Sequence, residues 1–210
     1  MRYKEQREQV LETVHLAYQA DLIRMSAGNI SLRTEDDMVV ITPSGIKYRN
    51  MTVKDISVVD LEGEPIDGPP PSSETPMHTA IYRHISRAKG ICHTHSRYGM
   101  IQAHLQEDVP LTNIELMMCG APIPVAPWAA PGTEKAGEVT VDIFQSRPEL
   151  HVILLRQHGL VALGGSLAQA YEHAYNAEVG LETHYKVRLV QAPQSFTEAQ
   201  IQEIKDVYGL

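Results

Sequence analysis

The apolar positions change period several times along this chain, and each change marks an element. Val10, Leu11, Val14, Ala17 and Tyr18 recur at helical spacing, which predicts an amphipathic helix over residues 3 to 21, ending near Asp21. The period then shortens. Asn29-Ile30-Ser31-Leu32-Arg33 and Met38-Val39-Val40-Ile41-Thr42 are β-type runs joined by the polar turn Thr34-Glu35-Asp36-Asp37, a predicted hairpin. Ile56 to Asp60 predicts another strand, followed by a turn at Glu62-Gly63-Glu64-Pro65, and Gly68-Pro69-Pro70-Pro71 reads as an irregular crossing because proline supplies no ladder donor.

Thr75 is expected to cap a helix that has Pro76 in its first turn and runs through Ile85. Gly90 to His95 predicts a strand, Arg97 to Leu105 a helix, Ile123 to Val125 a short extended piece, and Thr133 to Phe144 a helix. His151 to Leu155 predicts a buried strand that turns at His158-Gly159. Leu160 to Leu163 continues as strand to Gly164-Gly165, and Ser166 caps the longest helix, out to about Val190. Strands and helices mix without the alternation of a doubly wound parallel sheet, and the early hairpins imply antiparallel pairing. The expected fold is therefore α/β: one three-layer α/β/α domain over residues 1–210, with a central, largely antiparallel sheet.

Composition narrows the classes without choosing a function. With 43% hydrophobic and 21% charged residues among 210, the chain is an ordinary globular protein rather than a disordered, collagen-like or disulfide-stapled one. The 18 basic against 26 acidic residues, with no basic run longer than a pair, leave nucleic acid without an electrostatic footprint. Cys92 and Cys119 are too few for a disulfide framework and fit a reducing cytoplasm. No apolar stretch of eighteen residues and no apolar leader follow Met1, so neither export nor a membrane partner is expected.

The candidate chemistry begins with His93-Thr94-His95, because residues two apart on a strand point the same way and both imidazoles can reach one ion. Each is equally compatible with a packed core histidine. His158, at the end of another buried strand and followed by a glycine that permits a turn, supplies a third imidazole, and three imidazoles with an open position are a common catalytic zinc arrangement. Glu74, in Pro71-Ser72-Ser73-Glu74-Thr75, is a candidate base. It also suits a purely structural first-turn glutamate favoured by the helix dipole. Ala27-Gly28-Asn29-Ile30-Ser31 and Thr42-Pro43-Ser44-Gly45 are turn-like and rich in small donors. Together with Ser72 and Ser73 they can converge amides and hydroxyls on a phosphate without a Walker-type lysine.

Taken in order, Gly28-Asn29-Ile30-Ser31, Thr42-Pro43-Ser44-Gly45, Pro71 to His78, His93 to Ser96, Pro127, Gly132-Thr133 and Gln157-His158-Gly159 resemble the class II aldolase/adducin family over nearly the whole chain. The resemblance implies that His93, His95 and His158 are zinc ligands, one Zn2+ per chain, and that Glu74 touches the metal and acts as acid/base. It implies that Gly28, Asn29, Ser44, Gly45, Ser72 and Ser73 bind a substrate phosphate, and that the protein is a homotetramer with active sites at subunit interfaces.

Glutamate in the Ser-Ser-Glu segment favours the family's aldolases over its pentulose-phosphate epimerases, which tend to carry aspartate there. The implied reaction is reversible cleavage of a ketose 1-phosphate to dihydroxyacetone phosphate and an aldehyde. A phosphorylated keto-acid decarboxylase is a second enzymatic reading, and a non-enzymatic adducin-like interaction module a third, which would have no need of three histidines and a carboxylate. Leu116 falls where the fuculose-phosphate enzymes have a tyrosine that protonates the aldehyde oxygen. An apolar Leu116-Met117-Met118 surface would suit the aldehyde tail of a 5-deoxy or 5-methylthio pentulose 1-phosphate, whereas the plain alternative is core packing. Tyr208, near the C-terminus, is the candidate replacement donor, or simply part of a frayed end.

Overall fold

In the computed structural model, which describes residues 1–120 and 122–208, the first element is helix α1 (Lys4–Gln19), and the chain reverses through Asp21 in the left-handed region, φ 59°. Strands β1 (Asn29–Arg33) and β2 (Val39–Ile41) form the expected antiparallel hairpin. Its turn is closed by Thr34, whose amide donates to Met38 O (2.8 Å) and whose Oγ1 accepts from Met38 N (2.9 Å). Strand β3 (Ser57–Val59) is followed by β4 (Pro65–Asp67), so the predicted strand and turn are in fact a second hairpin. After the proline crossing come α2 (Thr75–His84), β5 (Gly90–Thr94), α3 (Arg97–Leu105), α4 (Ile114–Met117) and β6 (Val125–Ala126). Helix α5 (Glu134–Ser146), strands β7 (Val152–Leu155) and β8 (Gly159–Gly164), and helices α6 (Leu167–Arg188) and α7 (Glu198–Tyr208) complete the order.

The eight strands pair in the order β4-β3-β2-β1-β5-β8-β7-β6, antiparallel at every step except β6–β7. The expected three-layer architecture with a largely antiparallel sheet is what the chain adopts. Strand alternation divides the core in two. Ile30, Val40, Val58, Cys92, Leu154, Leu160 and Ala162 face α1, α4 and α6, while Val39, Ile41, Val59, Ile91, Ile153, Val161 and Leu163 face α2 and α5.

Three local details differ from the sequence reading. Thr75 is the first residue of α2, not its cap. Glu74 holds the cap position without a side-chain cap bond, because its carboxylate turns into the protein, and Thr75 Oγ1 instead donates to Ser72 O at 2.7 Å. The other two are helices that the sequence reading did not assign. The four-residue α4 is closed by Asn113, whose Oδ1 accepts from Leu116 N at 3.0 Å. The C-terminal segment is the helix α7, none of whose residues is buried. Ser166 and Thr133 do cap α6 and α5, accepting from Gln169 N and Ala136 N.

The joint between β5 and β8 is closely packed. Their register sets His93 opposite Val161 and Thr94 opposite Leu160. Gly159, at the head of β8, lies so close that an added Cβ would sit 2.3 Å from Thr94 O and 3.4 Å from His93 Cε1. Gly159→Ala is therefore expected to separate the two strand ends and to lower stability by about 1–3 kcal/mol, as overpacking does. Chemical unfolding of the variant beside the wild type measures the difference.

Candidate active site

The central strands deliver the histidines. His93 is fully buried on the α2/α5 face of β5, and His95 follows one residue beyond the strand end. His158 sits in the turn between β7 and β8, after Gln157 in the left-handed region (φ 57°), and its amide donates to Leu155 O at 3.0 Å. The β5–β8 register brings this turn alongside His95. The three ring centroids are 4.7–4.9 Å apart. His93 Nδ1 donates to Leu160 O at 2.9 Å, so Nε2 is the atom turned toward His95 Nε2 (3.1 Å) and Glu74 Oε2 (2.9 Å); burial works against a charge on this ring, but the Glu74 carboxylate outweighs it and raises the His93 pKa.

Glu74 closes the cluster from the N-terminus of α2. One ligand atom from each of Glu74, His93, His95 and His158 lies within 4.8 Å of all the others. Glu74 Oε1 is buried without a hydrogen-bond partner, 3.5 Å from His158 Nε2. An orphaned carboxylate oxygen facing bare imidazole nitrogens is a donor set for a cation, and one carboxylate with three imidazoles suits a tetrahedral divalent metal. The residues fit the group.

The electrostatics agree. Burial alone would raise the Glu74 pKa, but His93, which both attracts the carboxylate and hydrogen-bonds to it, His158 and the Asn29 amide outweigh burial and hold it well below the usual carboxylate range. Burial, reinforced by the neighbouring His93, pushes His95 down to about 3 and His158 down to about 4. Neutral imidazole is the ligand form.

Beside the cluster opens a cavity of about 340 Å³, whose lining brings Gly28, Asn29, Ser44, Gly45, Ser72 and Ser73 together with Glu74, His95 and His158. All six phosphate candidates thus converge, but they do not offer the same things. The Ser44 amide is bound to Pro70 O and the Ser72 amide to Thr42 O, each at 3.0 Å. Ser72 Oγ accepts from Glu74 N at 3.2 Å, and the Asn29 carboxamide is engaged by Glu74 and His78. Facing the cavity are Ser44, Gly45 and Ser73, all exposed. Gly28 is held at φ 90° against β5, where a Cβ would lie 2.7 Å from His93 O, and Tyr48 Oη donates to its carbonyl.

Two expected features lie elsewhere. Leu116 is wholly buried, packed so tightly under α6 that a Cβ on Gly180 would come 2.8 Å from its Cγ; Leu116 is a core residue and presents no surface to the cavity. Tyr208, at the end of α7, is 58% exposed and does not line the cavity of its own chain. Gly209 and Leu210 lie outside the described residues.

Sequence reasoning named Asn29 only as a phosphate candidate and missed the polar chain it forms behind Glu74. Asn29 Nδ2 donates to Glu74 Oε2 (2.7 Å), Asn29 Oδ1 meets His78 Nε2 (2.5 Å), His78 Nδ1 meets Ser31 Oγ (2.6 Å), and Ser31 Oγ meets Tyr82 Oη (2.8 Å). The signal was present: Glu74, His78 and Tyr82 recur every four residues on one stripe of α2, and Asn29 and Ser31 share one face of β1. Glu178 of α6 was also missed. Its two carboxylate oxygens accept from the Tyr98 and Gly99 amides, 2.9 Å each, and anchor the start of α3 just after His95.

Residues 8–185 match the family model of the class II aldolase and adducin N-terminal domain. The chain belongs to this family. It is 27% identical over 206 residues to 5-deoxy-D-ribulose 1-phosphate aldolase of Bacillus thuringiensis serovar kurstaki, covering 97% of this chain and 95% of that one. It is 31% identical over 172 residues to L-fuculose phosphate aldolase of Escherichia coli K12, covering 81% and 78%. A 3-oxo-tetronate 4-phosphate decarboxylase of Haemophilus influenzae is 26% identical over 206 residues, 96% of each chain. The fold also superimposes on a solved L-fuculose 1-phosphate aldolase with a TM-score of 0.91 at 23% identity, covering 100% of this chain and 99% of that one. With His93, His95, His158 and Glu74 assembled, this family member stands with the lyases rather than with adducin-type heads. Class II aldolases are metal-dependent, and the His/Glu cluster is the candidate metal site. Among the described residues no helix is long and apolar enough to cross a membrane.

Four half-buried or buried histidines in the metal-free protein have pKa values pushed below the ordinary 6.5: His78 and His95 to about 3, His151 and His158 to about 4, burial being the largest cause for each. The unfolded chain takes up these protons near pH 6.5 and the folded chain refuses them. Their contribution to stability is therefore complete above about pH 6.5 and is lost progressively as the pH falls toward about 3. The urea midpoint of metal-free protein is expected to be lower at about pH 5 than at about pH 7; an unchanged midpoint would mean that these rings titrate freely in the fold.

Proposed function

We propose that this chain is a zinc-dependent class II aldolase that cleaves a ketose 1-phosphate reversibly to dihydroxyacetone phosphate and an aldehyde. The observation that carries the reading is Glu74: a buried carboxylate whose Oε2 is held by Asn29 and His93 while Oε1 is left unpartnered, at the edge of a cavity rimmed by small donors.

The exposed Ser44, Gly45 and Ser73 grip the phosphate, with charge-assisted hydrogen bonds each contributing about 1.5–3 kcal/mol. That grip sets the reacting carbons next to Glu74. A zinc ion held by His93, His95 and His158, when bound, supplies a Lewis acid for the charge that develops on the substrate oxygens. In the cleavage direction the bond between C3 and C4 breaks, its electron pair passes to the three-carbon fragment, and the C4 hydroxyl loses its proton as the aldehyde forms. Glu74, ionised at rest, takes up one proton for the one that the C4 hydroxyl releases, delivers it from Oε1 to C3 of that fragment to complete dihydroxyacetone phosphate, and takes it back in condensation.

The protein works as a homotetramer with sites at subunit interfaces, and Tyr208 reaches a neighbouring site as the proton donor to the aldehyde oxygen. In support of an interface role, α7 has no buried residue in the single chain, and Val207 is 75% and Tyr208 58% exposed. The relative from B. thuringiensis favours a 5-deoxy pentulose 1-phosphate as substrate, by its name alone. Decarboxylation of a phosphorylated keto acid is the second reading, favoured by the H. influenzae relative, since it needs the same stabilised carbanion but no aldehyde.

Product analysis with a panel of phosphorylated ketoses and 3-keto acids separates these reactions, and one zinc per chain is expected in the active protein. Glu74→Gln should lose about 10²- to 10⁴-fold in turnover while keeping the fold and the affinity for inorganic phosphate. Deleting the last four residues should slow cleavage while sparing proton exchange at dihydroxyacetone phosphate, and equal loss of both would remove Tyr208 from the reaction.

A further inference from the structure

The polar chain behind Glu74 has a direction that follows from donor and acceptor chemistry alone. An ionised carboxylate only accepts, so the Asn29 group that meets Glu74 Oε2 at 2.7 Å is its amino group, and its carbonyl oxygen faces away. That oxygen also only accepts, so His78 Nε2, at 2.5 Å, carries the proton. Both His78 and Ser31 are fully buried. The neutral ring then has a bare Nδ1, which takes the Ser31 hydroxyl proton at 2.6 Å. With its one proton given to His78, Ser31 Oγ accepts from Tyr82 Oη at 2.8 Å, and the same Tyr82 hydroxyl lies 3.0 Å from Ser31 O as an alternative acceptor. Every donor points toward Glu74.

We propose that His78 is a positioning residue for the reaction: as an Nε2–H donor fed by Tyr82 and Ser31, it locks the Asn29 carboxamide, and Asn29 in turn fixes Glu74 Oε2 so that Oε1 stays turned toward His158 within the ligand cluster. The inference rests on the aldolase reading only for which reaction Glu74 serves. It also reassigns the Asn29 side chain, from a phosphate contact to a link in the carboxylate's support.

The geometry explains why this duty falls to a histidine. The helix stripe Glu74–His78–Tyr82 and the strand pair Asn29–Ser31 face each other across the layer between α2 and β1, and only a ring with a donor on one edge and an acceptor on the other can join Asn29 to Ser31. Burial pushes His78 down to about 3, with His93 adding to the effect and Glu74 opposing it, so the ring is neutral and its single proton is forced onto Nε2. Without it the Asn29 amide is free to flip, which would set its carbonyl against the carboxylate.

Two measurements test the relay. Long-range ¹H–¹⁵N correlation on histidine-labelled, metal-free wild-type protein reads the tautomer directly. His78 is expected to be neutral with its proton on Nε2; an Nδ1–H tautomer, or an imidazolium at neutral pH, overturns the proposal. The second uses proton exchange at dihydroxyacetone phosphate by the zinc-loaded protein. His78→Leu, which has no donor, is expected to lower kcat about 10- to 100-fold, the range for losing an outer support of a metal-site ligand, with KM within about twofold. His78→Gln, which keeps an N–H at the Nε2 position, should recover most of that loss. An unchanged kcat in His78→Leu, a loss confined to KM, or no recovery in His78→Gln overturns it. Should His78→Leu fail to fold, the tautomer measurement still decides. A wild type with the expected tautomer that neither exchanges this proton nor cleaves any ketose 1-phosphate would sink the aldolase reading and leave the relay standing.

Discussion

The structure depends on keeping one carboxylate charged inside it. Glu74 is 6% exposed, and an isolated buried carboxylate would take up a proton before it tolerated burial. Here the opposite holds because polar groups meet it from three directions: His93 from the sheet and Asn29 from β1, which both hydrogen-bond to it, and His158 from the β7–β8 turn. Even its own amide is tied, to Ser72 Oγ. The N-terminal end of α2 adds its dipole. Removing any one of these would leave part of the charge unanswered in a dry interior, so the site is held together by the same term that makes it chemically useful.

That requirement explains the placement of elements that otherwise look arbitrary. The sheet sets β5, which arrives late in the chain, between β1 and β8, and this central slot lets Asn29, His93 and His158 approach one point from adjacent strands. Helix α2 lies over this face, so that its cap position carries Glu74 while its next two turns carry His78 and Tyr82. Packing between α2 and α5 over Val39, Ile41, Ile91 and Val161 keeps the helix at the right depth. A core of this density holds side chains to within fractions of an ångström, which is what a carboxylate that moves protons needs.

The legible parts of the sequence were those where local chemistry and tertiary outcome agree. His93-Thr94-His95 on a strand must put both rings on one face, and the Ser166, Thr133 and hairpin-turn signals are local hydrogen bonds that form in the same way wherever the element is placed. Thr75 misled because a better local capper was overridden: the chain needs Glu74 turned inward, and the helix start shifts to suit it. Helix α4 gave little signal because four residues carry no period, whereas Ile201, Ile204 and Val207 of α7 do recur at helical spacing and Ile201 packs against the core. Leu116 could be read only once α6 was seen to cover it, since burial by a distant glycine-backed helix leaves no mark on the local pattern. The roles within the phosphate loops were likewise hidden. Ser72 and Ser73 are neighbours of one type, yet one is turned in to hold Glu74 and the other out to the cavity.

The division between inside and outside also bears on how one interior serves several reactions. On the proposed reading, the groups that would stabilise a carbanion beside the carbonyl of the phosphorylated fragment are buried or half-buried and cross-braced: the imidazoles, Glu74 and the polar side chains behind it. The groups that would meet the far end of a substrate are at the rim or on α7, where Tyr208 is exposed and the chain makes few contacts with itself. On the proposed reading, a rigid interior would fix the common step, breaking or making a bond to the carbon beside the carbonyl of the phosphorylated fragment. The rim, which tolerates change because little packing depends on it, would then decide whether the leaving group is an aldehyde or carbon dioxide. Relatives named for aldol cleavage and for decarboxylation, matched over nearly the same length of chain, are what such a division of labour would produce.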